Sequence, residues 1–231
     1  TYTFYLRRDL VWSNGEPLAA DDFVYSLQRA LSPETASSAA RTLLPIQNAR
    51  EVLAGELPVE ELGITLLDEF TMQITLTGPT PYFLGLLASP VAYPVNRKNV
   101  EEFGDQFSKA GQLVSNGAYV LKGWAPRVSI ELEKNPNYRE AALTVIERVI
   151  YFPSEDRSAE VKQFRSGALD WTNEVPNNQF RWLQRHYPDE LVVSPWMGSY
   201  FFGFNLTQEP FVDNPSLRMA LILAIDRQII T

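Results

Sequence analysis

Apolar side chains at Tyr2, Phe4 and Leu6 alternate with polar neighbours, so the chain opens as a strand already in progress. SNGEP follows Trp12 and supplies a tight turn. Asp21 and Asp22 then place carboxylates at the positive end of a helix. Phe23, Val24, Leu27 and Leu31 recur at roughly helical spacing until Ser32-Pro33 ends the run. That face is expected to pack on the strand carrying Tyr2, Phe4 and Leu6.

In TMQITLT, Met72, Ile74 and Leu76 alternate with Thr71, Gln73, Thr75 and Thr77, which predicts a half-buried strand over 71–77. GPTP breaks it, and Tyr82, Phe83, Leu86 and Leu87 begin a short apolar helix that stops at Ser89-Pro90. Pro90 and Pro94 bracket an extended crossing segment, so a domain boundary is placed near residue 95.

Beyond it, AYVLKGW and VSIELEK read as a hairpin around Ala125, Pro126 and Arg127, its second strand burying Val128, Ile130 and Leu132. VIERVIYF is a third strand. A helix from Asp156 turns Val161 and Phe164 inward and closes at Gly167. ALDW then reads as a short strand, QFRWLQRHY as a helix and LVVSPW as the next strand, a mixed α/β lobe. In NPSLRMALILAIDRQII, Asn214 caps a helix with Pro215 at its first position. Leu217, Ala220, Leu221 and Ala224 line a face that needs a partner surface. Both ends cut through apparent structure, so an excised internal segment is expected.

Composition narrows the chemistry. The 231 residues are 45% hydrophobic and 21% charged, which suits a folded globular chain. A net charge of −8 without any basic run argues against nucleic acid. Absence of cysteine excludes disulfides, thiol catalysis and thiolate metal sites, and the lone His186 excludes a two-histidine metal site within this chain. His186 is expected on a helix surface. No run approaches the roughly eighteen apolar residues of a membrane span.

Adjacent acids at Asp21-Asp22, Glu60-Glu61, Glu101-Glu102 and Glu155-Asp156 could serve a hydrolase only if two converged on a substrate, and acids at helix starts are more commonly dipole partners. No G-x-S-x-G, P-loop, G-x-G-x-x-G or HExxH is present. The sequon Asn205-Leu206-Thr207 is a tripeptide common by chance. Aromatics make up 12% of the chain, and Trp171 and Trp196 fall where strands are expected to end. Such residues either wall a ligand pocket or pack within the core.

The stretch YTFYLRRDLVWSNGEPLAADDFVYSLQRALSPETAS closely resembles the opening signature of the bacterial solute-binding proteins for oligopeptides and dipeptides. The similarity continues through LGITLLDEFTMQITLTGPTPYFLGLLASP, VSNGAYVLKGW, KNPNY, RSGALDW and FNLTQEPFVDNPSLRMALILAIDR, and is nearest the oligopeptide branch. It implies an α/β (mixed α+β) fold, periplasmic-binding-protein-like type II, incomplete, with an extra small domain. Residues 1–95 would form most of that small domain, 96–198 part of the first ligand-binding lobe, and 199–231 the truncated start of the second.

The implied activity is peptide capture outside the cytoplasmic membrane by a periplasmic or lipid-anchored receptor, a monomer without cofactor, which delivers peptide to the permease subunits of an ABC importer. The acidic anchor of the peptide N-terminus would lie beyond this chain, so the segment alone should bind poorly. Matching cleft positions one at a time gives Ala39, where enteric relatives carry an aromatic, Ser89, Arg157, Asn173, and Trp196 with Gly198 in SPWMG. Trp171 joins them as a candidate pocket wall. Other solutes on the same scaffold (dipeptides, signalling peptides, sugars, nickel chelates), a carboxylate-dependent hydrolase and a chaperone-like partner are the alternatives.

Overall fold

The computed structural model describes residues 1–195, 198 and 200–230. They divide into two compact units, Thr1–Asp156 and Arg157–Thr231. Among the described residues no helix is long and apolar enough to cross a membrane.

The first unit begins with strand β1 (Tyr2–Tyr5). The expected turn follows: Val11 bridges Pro17, and Gly15 adopts φ +87°, a left-handed conformation that suits glycine. Helix α1 (Ala20–Leu31) starts where Asp21 and Asp22 predict it and ends before Pro33. Its buried positions Val24, Leu27 and Leu31 belong to the main core, together with Leu43, Ile46 and Val52; the last lies on the short α2 (Ala49–Leu53).

Strands β2 (Ile64–Asp68) and β3 (Thr71–Ile74) form an antiparallel hairpin, and the sheet order is β1-β3-β2. At the hairpin turn Asp68 Oδ1 accepts from the Phe70 backbone N–H at 2.9 Å. Met72 and Ile74 are buried as the alternation requires, with Tyr2 opposite Ile74 and Phe4 opposite Met72. The ladder is shorter than expected: it ends at Ile74, and Leu76 makes only an isolated bridge to Ile46. Helix α1 lies across β2 and β3, not chiefly on β1; Tyr2, Phe4 and Leu6 close the same core from the sheet edge. Helix α3 (Phe83–Leu86) adds Phe83 to it.

Helix α4 (Arg97–Phe103) is capped by Asn96, whose side chain accepts from the Asn99 N–H at 2.9 Å. A second antiparallel sheet, β4 (Tyr119–Ala125), β5 (Ser129–Lys134) and β6 (Arg148–Tyr151), follows in sequence order. Arg127 turns the β4–β5 hairpin at φ +63°. This moves Val128 into the turn exit, 64% exposed, instead of into β5 as the alternation suggests. Ile130 and Leu132 are half-buried.

Hydrogen bonds tie the first turn to the loops around this second sheet. Ser13 N–H donates to Ser115 O at 2.7 Å, Ser115 N–H to Ser13 Oγ at 3.1 Å, and the Asn137 amide to Ser13 O at 3.0 Å. Asn135 beside it is fully buried, its amide donating to Gly117 O at 2.8 Å and its Oδ1 accepting from Asn137 N–H at 3.0 Å. A buried amide so satisfied fixes the loop without the cost of an unpaired polar group.

The second unit holds α5 (Arg157–Arg165), α6 (Phe180–His186), α7 (Pro215–Ala224) and α8 (Arg227–Ile230). Val161 and Leu183 are buried, Phe164 is half-buried, and Gly167 ends the α5 turn at φ +76°. ALDW and the described part of LVVSPW are not strands: neither finds a pairing partner among the described residues, and an unpaired extended segment forms no ladder. Asn214 caps α7 as expected, accepting from Leu217 N–H at 3.0 Å. Among the described residues nothing buries its apolar face; Leu217 is half-buried and Ala220, Leu221 and Ala224 are exposed.

Candidate ligand-binding site

Ala39 and Ser89 belong to the first unit and stand at the start of two single-turn 3-10 segments, Ala40–Leu43 and Pro90–Ala92, which pack on each other. Proline at Pro90 sets the second turn, whose first hydrogen bond runs from Ala92 N–H to Ser89 O at 2.9 Å. Ala39 is exposed and presents only a methyl group; Ser89 is half-buried, with no side-chain hydrogen bond among the described residues.

Arg157, Trp171 and Asn173 belong to the second unit. Arg157 begins α5, and its guanidinium pairs with Glu174, next to Asn173. That ion pair anchors the loop leaving α5 back onto the helix start. It holds Trp171, 69% exposed, and Asn173, also exposed, on one short irregular segment. Trp171 is therefore not a core residue of this unit. Gly198 is exposed and irregular, and Trp196 lies outside the described residues. Glu174 carries no signal in the sequence, because an ion pair between a helix start and a distant loop residue leaves no periodic trace.

The paired acids take structural roles where the geometry assigns one. Asp21 pairs with Arg97 at 3.2 Å. Asp22 accepts from the Ala19 N–H at 3.0 Å and from Trp12 Nε1–H at 3.4 Å; it is half-buried, and this loss of water pushes its carboxyl above the usual range against both hydrogen bonds. His186 lies exposed on α6, its Nδ1 2.8 Å from Trp182 O. Among the described residues no three His, Cys, Asp or Glu side chains converge as metal ligands.

The candidate positions of the first unit present a methyl group and a hydroxyl, and those of the second an indole, an amide and a guanidinium paired with Glu174. The chain belongs to the bacterial extracellular solute-binding proteins, family 5 Middle, which matches residues 1–231. It is 41% identical over 232 residues to the periplasmic oligopeptide-binding protein OppA of Escherichia coli (strain K12), covering 99% of this chain and 42% of that protein. It is 39% identical to the probable deoxycholate-binding periplasmic protein YgiS of the same strain, covering 99% of this chain and 43% of that protein. The Haemophilus influenzae OppA complex with RPPGFSPFR matches it with a TM-score of 0.92 and 35% identity, over 99% of this chain and 45% of that one. The chain thus spans less than half the length of these relatives, and its mixed α/β architecture is theirs.

Proposed function

We propose that this chain is part of the peptide-capturing receptor of an ABC importer, working outside the cytoplasmic membrane and handing oligopeptides to the permease. The observation that carries this reading is the match of 99% of this chain to 45% of a relative in complex with the peptide RPPGFSPFR. Binding here is non-covalent, and the protein is a receptor, not an enzyme. It acts as a monomer, and its charge of −8 gives no purchase to nucleic acid.

On this reading residues 1–95 belong to the extra small domain, 96–198 to the first lobe and 199–231 to the start of the second. Ala39, Ser89, Arg157, Trp171, Asn173, Trp196 and Gly198 contribute to the peptide cleft of the complete protein. Peptides are read through hydrogen bonds to their backbone, and water-filled pockets accept varied side chains. Ala39 leaves more room than an aromatic residue would, which favours larger side chains at that position.

A second reading rests on the likeness to YgiS, a probable deoxycholate-binding protein. Mass spectrometry of ligand released from the purified full-length protein separates the two. A ladder of peptides of mixed sequence is the expected result, and calorimetry with synthetic peptides should then give saturable binding. Recovery of an amphipathic steroid with no peptide, and no heat with any peptide, would overturn the proposal.

A further inference from the structure

We infer that the face built by α5 and α6 is a docking surface for a carboxylate-rich protein partner; on the receptor reading above, that partner is the extracytoplasmic side of the permease. Lys162 and Arg165 stand on α5, and Arg181, Arg185 and His186 on α6, all exposed, around the partly exposed Trp182. The Arg165 guanidinium lies over the Trp182 ring at 4.7 Å, and the His186 ring stacks on it with centroids 4.3 Å apart. These contacts join the two helices into one continuous patch.

Stability alone does not account for it. In a chain of net charge −8, none of these five basic groups forms an ion pair among the described residues, while Arg157 on the same helix does. Basic residues in the last helical turn complement the helix dipole, which explains Lys162, Arg165, Arg185 and His186. It does not explain Arg181, which stands in the first turn, where the dipole opposes a cation. Clustered basic side chains without an ion-pair partner among the described residues are what a surface keeps for an acidic partner.

The geometry favours a protein over a lipid surface. An arginine stacked on an indole keeps its in-plane N–H groups free, and these fit a carboxylate side by side. Membrane-surface binding needs apolar side chains free to enter the headgroup region. Here Val161 and Leu183 are buried and the Trp182 ring is already engaged by Arg165 and His186.

The test uses the full-length protein and its importer in lipid nanodiscs, with the double variant Arg181→Glu/Arg185→Glu and the milder Arg181→Gln/Arg185→Gln. Circular dichroism checks folding, calorimetry checks peptide affinity, and sedimentation with phosphatidylglycerol vesicles checks the membrane. Charge reversal should weaken importer association about tenfold or more, with the glutamine pair intermediate. Peptide affinity should stay within about twofold of wild type. Wild-type association should also fall as salt rises from about 50 to about 300 mM, and the reversed variant should lose that dependence. Unchanged importer association by both folded variants overturns the inference. So does loss of vesicle binding with importer association intact. A wild-type protein that binds peptide but not the importer overturns the inference alone, and one that binds neither overturns the receptor reading with it.

Discussion

Asp22 holds the entry of α1 while carrying a charge that its surroundings resist. Its carboxyl is raised in the folded state chiefly by burial, so the folded protein binds this proton more readily than the unfolded chain does. Its contribution to stability is therefore fully present below the unfolded value and declines as pH rises through the folded one. Asp22→Asn keeps an oxygen for Ala19 N–H and Trp12 Nε1–H and removes the titration. Urea unfolding of the two proteins at about pH 4 and about pH 7 should show the wild type gaining on the variant at the lower pH. A difference that does not change with pH would reject the assignment. The sequence shows Asp22 as a helix-start acid, because that preference is local. It cannot show the indole of Trp12 above it, since that contact depends on how the intervening turn folds back.

Elements whose signals are local follow the same rule. Helix α1, strand β3, the β4–β5 hairpin, the Gly167 stop and the Asn214 cap all rest on neighbours within a few residues, and all are legible. The ALDW and LVVSPW segments have strand-like composition without a strand, because a ladder needs a partner that composition does not specify. Among the candidate site residues, Arg157 and Asn173 are placed together by an ion pair to Glu174 that no spacing announces. The α7 cap offers a direct check of element stability, since the helix lies exposed and leans little on packing. Asn214→Ala should cost about 1 kcal/mol locally. Amide exchange at Leu217 should then quicken about fivefold, while exchange in β3 stays unchanged.

For the molecule as a whole, the hydrogen bonds on Ser13 set an order of events. They join positions separated by 102 and 124 residues, and the last donor is Asn137. The turn after Trp12 is thus left with open backbone groups until the β4–β5 hairpin has been made and delivered, long after α1 and the first sheet have all their own residues. Contacts across such a span are closed late, since the loop entropy must be met before they return anything. Asn137→Ala should therefore speed unfolding in stopped-flow experiments and leave the refolding rate nearly unchanged. A chain that emerges amino-terminus first, whether from the ribosome or through a membrane, would carry its first sheet unlatched for that whole interval, open to proteases and chaperones at the turn it will later lock.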